Sequence, residues 1–261
     1  MTRIPIFQVD AFASRQFGGN PAAVCPLDAW LPDSVMQSIA AENNRAETAF
    51  FAPEGGHFRL RWFTPTVEVD LCGHATLATA FVLYHYLNFS GPEVTFESRS
   101  GPLRVTRDSE LLTLDFPAIT LTRCDPPGEL LEGLGIQPLE TWVGMDYFVL
   151  AADEAQVRGL QPHLDSLARL DRRGAIVTAR GESADFVSRF FAPGAGIPED
   201  PATGSAHCAL APYWSRRLGK SSLYAQQLSP RGAELWVEDR GSRVAISGKA
   251  IPYLEGTITV L

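Results

Sequence analysis

The sequence predicts an α/β chain built from two related halves. Three observations carry this. Strand-like and helix-like segments succeed one another along all 261 residues, with turn signals between them. The composition shifts to proline, glycine and polar residues around positions 117–128. One strand–loop–helix unit occurs twice, half a chain apart.

In the first half, residues 4–12 read as a strand, 17–21 as a turn-rich loop and 22–25 as a short second strand. Residues 32–43 read as a helix, because Leu31, Val35, Ile39 and Ala40 fall at helical spacing with Asp33 near the start. Residues 45–51 and 58–63 read as strands, the latter alternating apolar and basic. Residues 73–87 form a helix that is apolar almost all round, as a helix buried on most sides is. Strands are expected at 94–97, 102–106 and 111–116.

Beyond the boundary, strands are expected at 142–151, 175–179 and 184–191, with a helix at 161–168. A helix at 204–218 follows, interrupted by Pro212, which has no N–H to give and should kink or shorten it. Strands near Leu235 and Val244 and a final strand at 256–261 close the chain.

The repeat pairs Arg61-Trp62-Phe63-Thr64-Pro65, leading to Cys72-Gly73-His74-Ala75, with Arg189-Phe190-Phe191-Ala192-Pro193, leading to Thr203-Gly204-Ser205-Ala206. The two arginines lie 128 positions apart. A period of half the length points to duplication of one domain rather than a solenoid. The halves are placed at 1–118 with a returning C-terminal strand at 250–261, and at 119–249. Matching helix starts could then face one shared cleft, a favoured place for small-molecule sites.

With 45% hydrophobic residues the chain can bury a large core. A net charge of -8 and a pI near 5.2 argue against a nucleic-acid surface. Four scattered cysteines without a CxxC pair argue against a disulfide framework. No apolar leader is visible, and the longest apolar stretch, residues 75–87, is too short for a bilayer. A cytoplasmic protein without a membrane partner is expected.

The helix starts Gly73-His74 and Gly204-Ser205 should each expose unpaired N–H groups at a positive dipole end, suited to a carboxylate or a developing enolate. The same glycines also serve simple strand-to-helix turns. Strand alternation puts Glu47 on a face with Ala49 and Phe51, where a carboxyl tends to a raised pKa fit for proton transfer. Read alone, Glu47 is more often an edge glutamate or a partner of Arg45 or Arg61. Asp200, just before the second helix, reads first as a turn or cap residue. His74 should be held neutral by the helix start. The Cys72/His74 and His207/Cys208 spacings match no zinc pattern, and neither GxxxxGK[ST] nor GxGxxG occurs. No metal and no nucleotide cofactor are expected.

Four stretches together resemble the PhzF-like family of phenazine biosynthesis, which shares its fold with diaminopimelate epimerase. They are Gln8-Val9-Asp10-Ala11-Phe12 with Gly19-Asn20-Pro21; Arg45-Ala46-Glu47-Thr48-Ala49-Phe50; Phe63-Thr64-Pro65 with Asp70-Leu71-Cys72-Gly73-His74-Ala75-Thr76; and Arg189-Phe190-Phe191-Ala192-Pro193 with Glu199-Asp200-Pro201-Ala202-Thr203-Gly204-Ser205. They run in family order from about residue 4 to 207. The resemblance implies two pseudo-symmetric halves, each a mixed barrel-like sheet around a central helix. It implies a homodimer and a cofactor-independent isomerase shifting a proton on a small carboxylated metabolite. Glu47 matches the family's general acid/base, and His74, Asp200 and Ser205 match its substrate-positioning residues, beside Gly73 and Gly204. The epimerases of this fold use two cysteines; Cys72 sits near the first, but Ala202 or Thr203 takes the second's place. An amino-acid racemase using Cys72, and a non-catalytic ligand- or partner-binding protein, are the alternatives.

Overall fold

The computed structural model describes residues 1–260, so the expected strand end at Leu261 lies outside the described residues. The chain divides into two compact units: Met1–Asp115 with the segment from Ser247 onward, and Phe116–Ile246.

In the first unit, β1 (Thr2–Ala11) pairs antiparallel with β2 (Asn20–Pro26). Helix α1 (Asp33–Asn43) then carries the chain to β3 (Glu47–Glu54), which runs parallel to β2. A parallel pair needs such a crossover. β4 (His57–Phe63) returns antiparallel to β3 and ends on the short β5 (Glu68–Val69). After α2 (Gly73–Tyr86) come β6 (Glu93–Ser98), parallel to β4, then β7 (Gly101–Asp108) and β8 (Leu111–Pro117) as an antiparallel meander. The apolar circumference of α2 explains its place: residues 74–84 are all buried, and the helix packs on β1, β2 and β3. The outer face of the sheet is closed by α1, whose Met36 and Ile39 join Ile4, Cys25, Phe50 and Phe63 in one core cluster.

The second unit runs β9 (Thr122–Arg123), α3 (Gly128–Leu134), β10 (Glu140–Val143), β11 (Tyr147–Leu150), α4 (Glu154–Gly159), α5 (Leu164–Leu167), β12 (Ala175–Arg180), β13 (Phe186–Phe191), α6 (Gly204–Leu218), β14 (Ser222–Gln227), β15 (Ala233–Asp239) and β16 (Arg243–Gly248). The last strand, β17 (Ala250–Val260), pairs along its length with β1 in the first unit. Leu130, Val149, Val157, Val177, Val187 and Phe191 form the core under α3–α5. Helix α6 is buried from Ala206 to Trp214.

The two units share a strand plan. Antiparallel β1–β2, parallel β2–β3, antiparallel β3–β4, parallel β4–β6 and antiparallel β6–β7 recur as β10–β11, β11–β12, β12–β13, β13–β14 and β14–β15. The repeat extends to side chains. Arg61 forks onto Glu68 at 2.7 and 2.8 Å, and Arg189 forks onto Glu199 at 2.7 and 2.9 Å. Thr76 Oγ1 donates to the Cys72 carbonyl at 2.6 Å, and the His207 ring, through Nδ1, bonds the Thr203 carbonyl at 2.8 Å, four residues back in each helix.

The mixed α/β architecture is the predicted one. Several elements differ from the sequence expectation: the strand expected at 142–151 is an antiparallel pair, β10 and β11, turning at 144–146, the short β5 and β9 are additional strands, and the final strand begins at Ala250 rather than 256. Helices α3 and α4 are too short to show a helical period, and α3 opens directly behind Pro126-Pro127 in the stretch read as a boundary. β14 follows α6 after a tight glycine cap at Gly219. The expected break at Pro212 is not found: α6 runs from Gly204 to Leu218 as one helix. Pro212 cannot donate to the Cys208 carbonyl, and the Ile119 N–H takes that place at 2.9 Å.

Candidate active site

Glu47 opens β3, and His74 is the second residue of α2. The carboxylate Oε2 lies 3.1 Å from His74 Nε2, with the two side chains 12% and 8% exposed. Cys72, just before α2, puts Sγ 3.5 Å from His74 Nδ1. The imidazole thus sits between a carboxylate and a thiol. The Glu47–His74 contact is held by charge: neither Oε2 nor Nε2 has a well-aligned hydrogen bond among the described residues. Buried polar atoms with bonding capacity to spare call for an explanation, and a site that receives a ligand is one.

Two expectations need correction. Burial does push the Glu47 carboxyl upward, but the adjacent His74 charge and the Cys72 thiol outweigh it and hold Glu47 below the usual carboxylate range. Burial also disfavours a charged His74, yet the Cys72 and Glu47 groups carry its pKa well above the usual 6.5. Burial and the Glu47 charge push the Cys72 thiol up to about 11, which leaves Cys72 as a thiol and Glu47 as the ionised neighbour of His74. The dipole at the start of α2 argues for a neutral imidazole; a carboxylate at 3.1 Å is the stronger influence. The resting arrangement is a carboxylate–imidazolium pair beside a thiol.

Glu47, Cys72 and His74 also offer three potential metal ligands within 4.8 Å of one another. A cation there would have to displace a proton from both Cys72 and His74. Neither a cavity of about 530 Å³ along α1 nor one of about 370 Å³ beside Arg59 and Arg61 is lined by any of the predicted site residues.

The second unit holds the other predicted residues. Asp200 accepts a 2.6 Å hydrogen bond from Thr203 Oγ1, as a turn residue does. The loop that carries it is pinned by the buried Gln227, which donates to the Asp200 carbonyl at 2.7 Å and to Thr203 Oγ1 at 3.0 Å, and accepts from the Thr203 N–H at 2.8 Å. Gly204 and Ser205 open α6, and Gly73 and His74 open α2; neither helix is capped by the side chain of its N-cap residue. Ser205 Oγ accepts at 3.0 Å from Arg173, a residue the sequence reading did not single out. Asp146, buried, takes the same guanidinium in a fork at 2.9 and 2.6 Å. Gln227, Arg173 and Asp146 belong to no recognisable motif, and only the strand registers bring them to the loop before α6 and to its first turn.

The chain matches the phenazine biosynthesis-like family over residues 9–256. It is 54% identical to an uncharacterized isomerase of Pseudomonas aeruginosa over 98% of both chains. Its fold is that of a PhzF-family phenazine biosynthesis protein from Enterococcus faecalis, with a TM-score of 0.97, 48% identity, and 99% and 100% of the two chains covered. A hydroxyproline epimerase from Agrobacterium vitis shares the fold alone, with a TM-score of 0.64 at 11% identity over 98% and 92% of the chains. Shared strand plan, glycine-opened central helices and sequence identity along nearly the whole length converge on one statement: the chain belongs to the PhzF-like isomerase family.

Proposed function

We propose that the protein is a cofactor-independent isomerase that shifts a proton on a small carboxylated, cyclic or unsaturated metabolite, with Glu47 as the acid/base group. The observation that carries this reading is the Glu47–His74 pair: a nearly buried carboxylate, kept ionised by an imidazolium at 3.1 Å, with its Oε2 uncommitted to any aligned hydrogen bond. Such a group takes a proton from carbon as a base. Once protonated, it returns the proton at another position as an acid. The His74 imidazolium remains as a fixed positive charge that offsets the charge developing on the substrate. From the family resemblance, Gly73 and His74, and separately Asp200, Gly204 and Ser205, are proposed as substrate-binding residues of their respective units. A homodimer and a cytoplasmic setting accompany this reading.

Cys72 supports a second reading, a racemase with a thiol base, because it shares the Glu47–His74 cluster. Against it stands a pKa pushed up to about 11, where the cluster favours the thiol. The test is an NMR screen in D₂O across small cyclic and unsaturated carboxylic acids. Formation of carbon-bound deuterium identifies a turned-over substrate. Saturable binding of those acids without exchange would leave a ligand-binding protein instead. Cys72→Ala should spare the exchange; its abolition would favour the thiol mechanism.

A further inference from the structure

Strand register aligns the two units residue by residue. Thr48 pairs with Phe63 in the first unit, and Ala175 pairs with Phe191 in the second. Each phenylalanine stands two positions after the arginine that forks onto glutamate. Glu47 therefore corresponds to Gly174, and Ala46 to Arg173. The helix starts correspond as well, so His74 matches Ser205. The first unit joins its strand start to its helix start through Glu47 and His74. The second does so through Arg173 and Ser205, at 3.0 Å.

No side chain fits where the second unit would carry a second glutamate. A Cβ on Gly174 would lie 2.3 Å from the Phe191 carbonyl oxygen and 2.9 Å from the Ala192 Cβ. The side chain one residue earlier bridges to the helix instead. Its guanidinium is fixed on three sides, by the fork to buried Asp146, by the bond to Ser205 Oγ and by the Phe190 ring 5.0 Å away. Because Ser205 Oγ accepts from Arg173, its own O–H is left to donate, and no acceptor for it occurs among the described residues.

We propose that Arg173 is a positioning residue that acts through Ser205: held by Asp146, it fixes the Ser205 hydroxyl as a donor to the substrate's carboxylate. The assignment rests on the isomerase reading for the role of Ser205. It adds a residue and a function, carboxylate selection, to the half of the molecule that carries no base. Arg173 is a fixed, charge-assisted donor, whereas a lysine would satisfy Asp146 as a point charge without the fork.

The test uses the 261-residue chain with benzoate as the carboxylate probe and benzamide as its neutral counterpart, followed by the amide resonances of Gly204 and Ser205. Wild type should show saturable shifts with benzoate and at least roughly ten-fold weaker binding of benzamide, a difference of the size set by one charge-assisted contact. Arg173→Met and Ser205→Ala should each remove that preference, and the double variant should bind benzoate no more weakly than Ser205→Ala. Arg173→Lys, which keeps a cation beside Asp146, should remain folded and still lose the preference. Wild-type preference in Arg173→Lys, additive losses in the double variant, or no saturable shift at these amides in wild type would each overturn the proposal. Deuterium exchange that depends on Glu47 is measured separately, so this proposal can fail while the isomerase reading stands.

Discussion

At the scale of the residue, the chemistry turns on which influence wins around Glu47. Burial alone would make it a neutral acid and His74 a neutral imidazole. Their proximity reverses both, leaving an ionised carboxylate with a cation beside it. Glu47→Gln removes one of the two neighbours that raise His74, leaving Cys72 against the effect of burial. Its pKa, followed by ring NMR, is expected to fall; an unchanged value would mean that Glu47 does not hold His74 protonated. The pair also leaves a pH signature. Glu47 lies below its ordinary 4.5, so its contribution to stability is present above that value and lost as pH falls through the folded value. His74 lies above its ordinary 6.5, so its contribution is complete below 6.5 and lost as pH climbs through the folded value. The stability difference between wild type and a Glu47→Gln/His74→Asn variant should therefore be largest between 4.5 and 6.5 and shrink on either side. Chemical unfolding across pH measures it. The sequence placed Glu47 on a strand face beside apolar neighbours, and that much was legible. The sign of its pKa was not, because Glu47 and His74 lie 27 positions apart and only the fold brings them to 3.1 Å.

At the scale of the element, the duplicated Arg–Glu fork shows how a repeat can be read and where it stops. The Arg61–Glu68 and Arg189–Glu199 forks tie each antiparallel strand to the loop before its central helix. They are not equal in redundancy. Glu68 also takes Arg99 at 2.7 Å. Among the described residues, no second cation is paired with Glu199. Arg189→Met should cost about 3–5 kcal/mol, the usual penalty for stranding a buried charge, and Arg61→Met distinctly less. Urea unfolding midpoints check the order, and equal losses would contradict it. Gly174→Ala should cost roughly 1–3 kcal/mol through its clash with the Phe191 carbonyl, or more if the strand end cannot yield. The long periodic helices α2 and α6 were legible because an apolar circumference and a glycine start are local signals. The short helices α3 and α4 were not, since one to two turns show no period. The unbroken course of α6 through Pro212 was also hidden: it depends on Ile119, 89 positions before Cys208, supplying the missing donor.

At the scale of the whole molecule, the two units share one strand plan and carry different side-chain pairs on it. The first carries a carboxylate–imidazolium pair at its strand start, and the second an arginine–hydroxyl pair at the matching place. The 128-residue offset made the duplication visible in sequence, but its divergence shows only when register is counted strand by strand. Glu47 stands in one unit, and at its counterpart Gly174 a Cβ would meet the Phe191 carbonyl oxygen at 2.3 Å; the proposed one-base proton shift is built on that asymmetry. The family sets the fold and the isomerase class; the substrate is what the D₂O screen supplies. The most direct measurement of the central claim is solvent-deuterium incorporation into a substrate so identified, by wild type and by Glu47→Gln. Wild type should place deuterium on carbon, and the variant should lose roughly 10²–10⁴ of that rate, the usual contribution of a positioned acid/base group. Deuterium incorporation by Glu47→Gln at the wild-type rate would contradict the account.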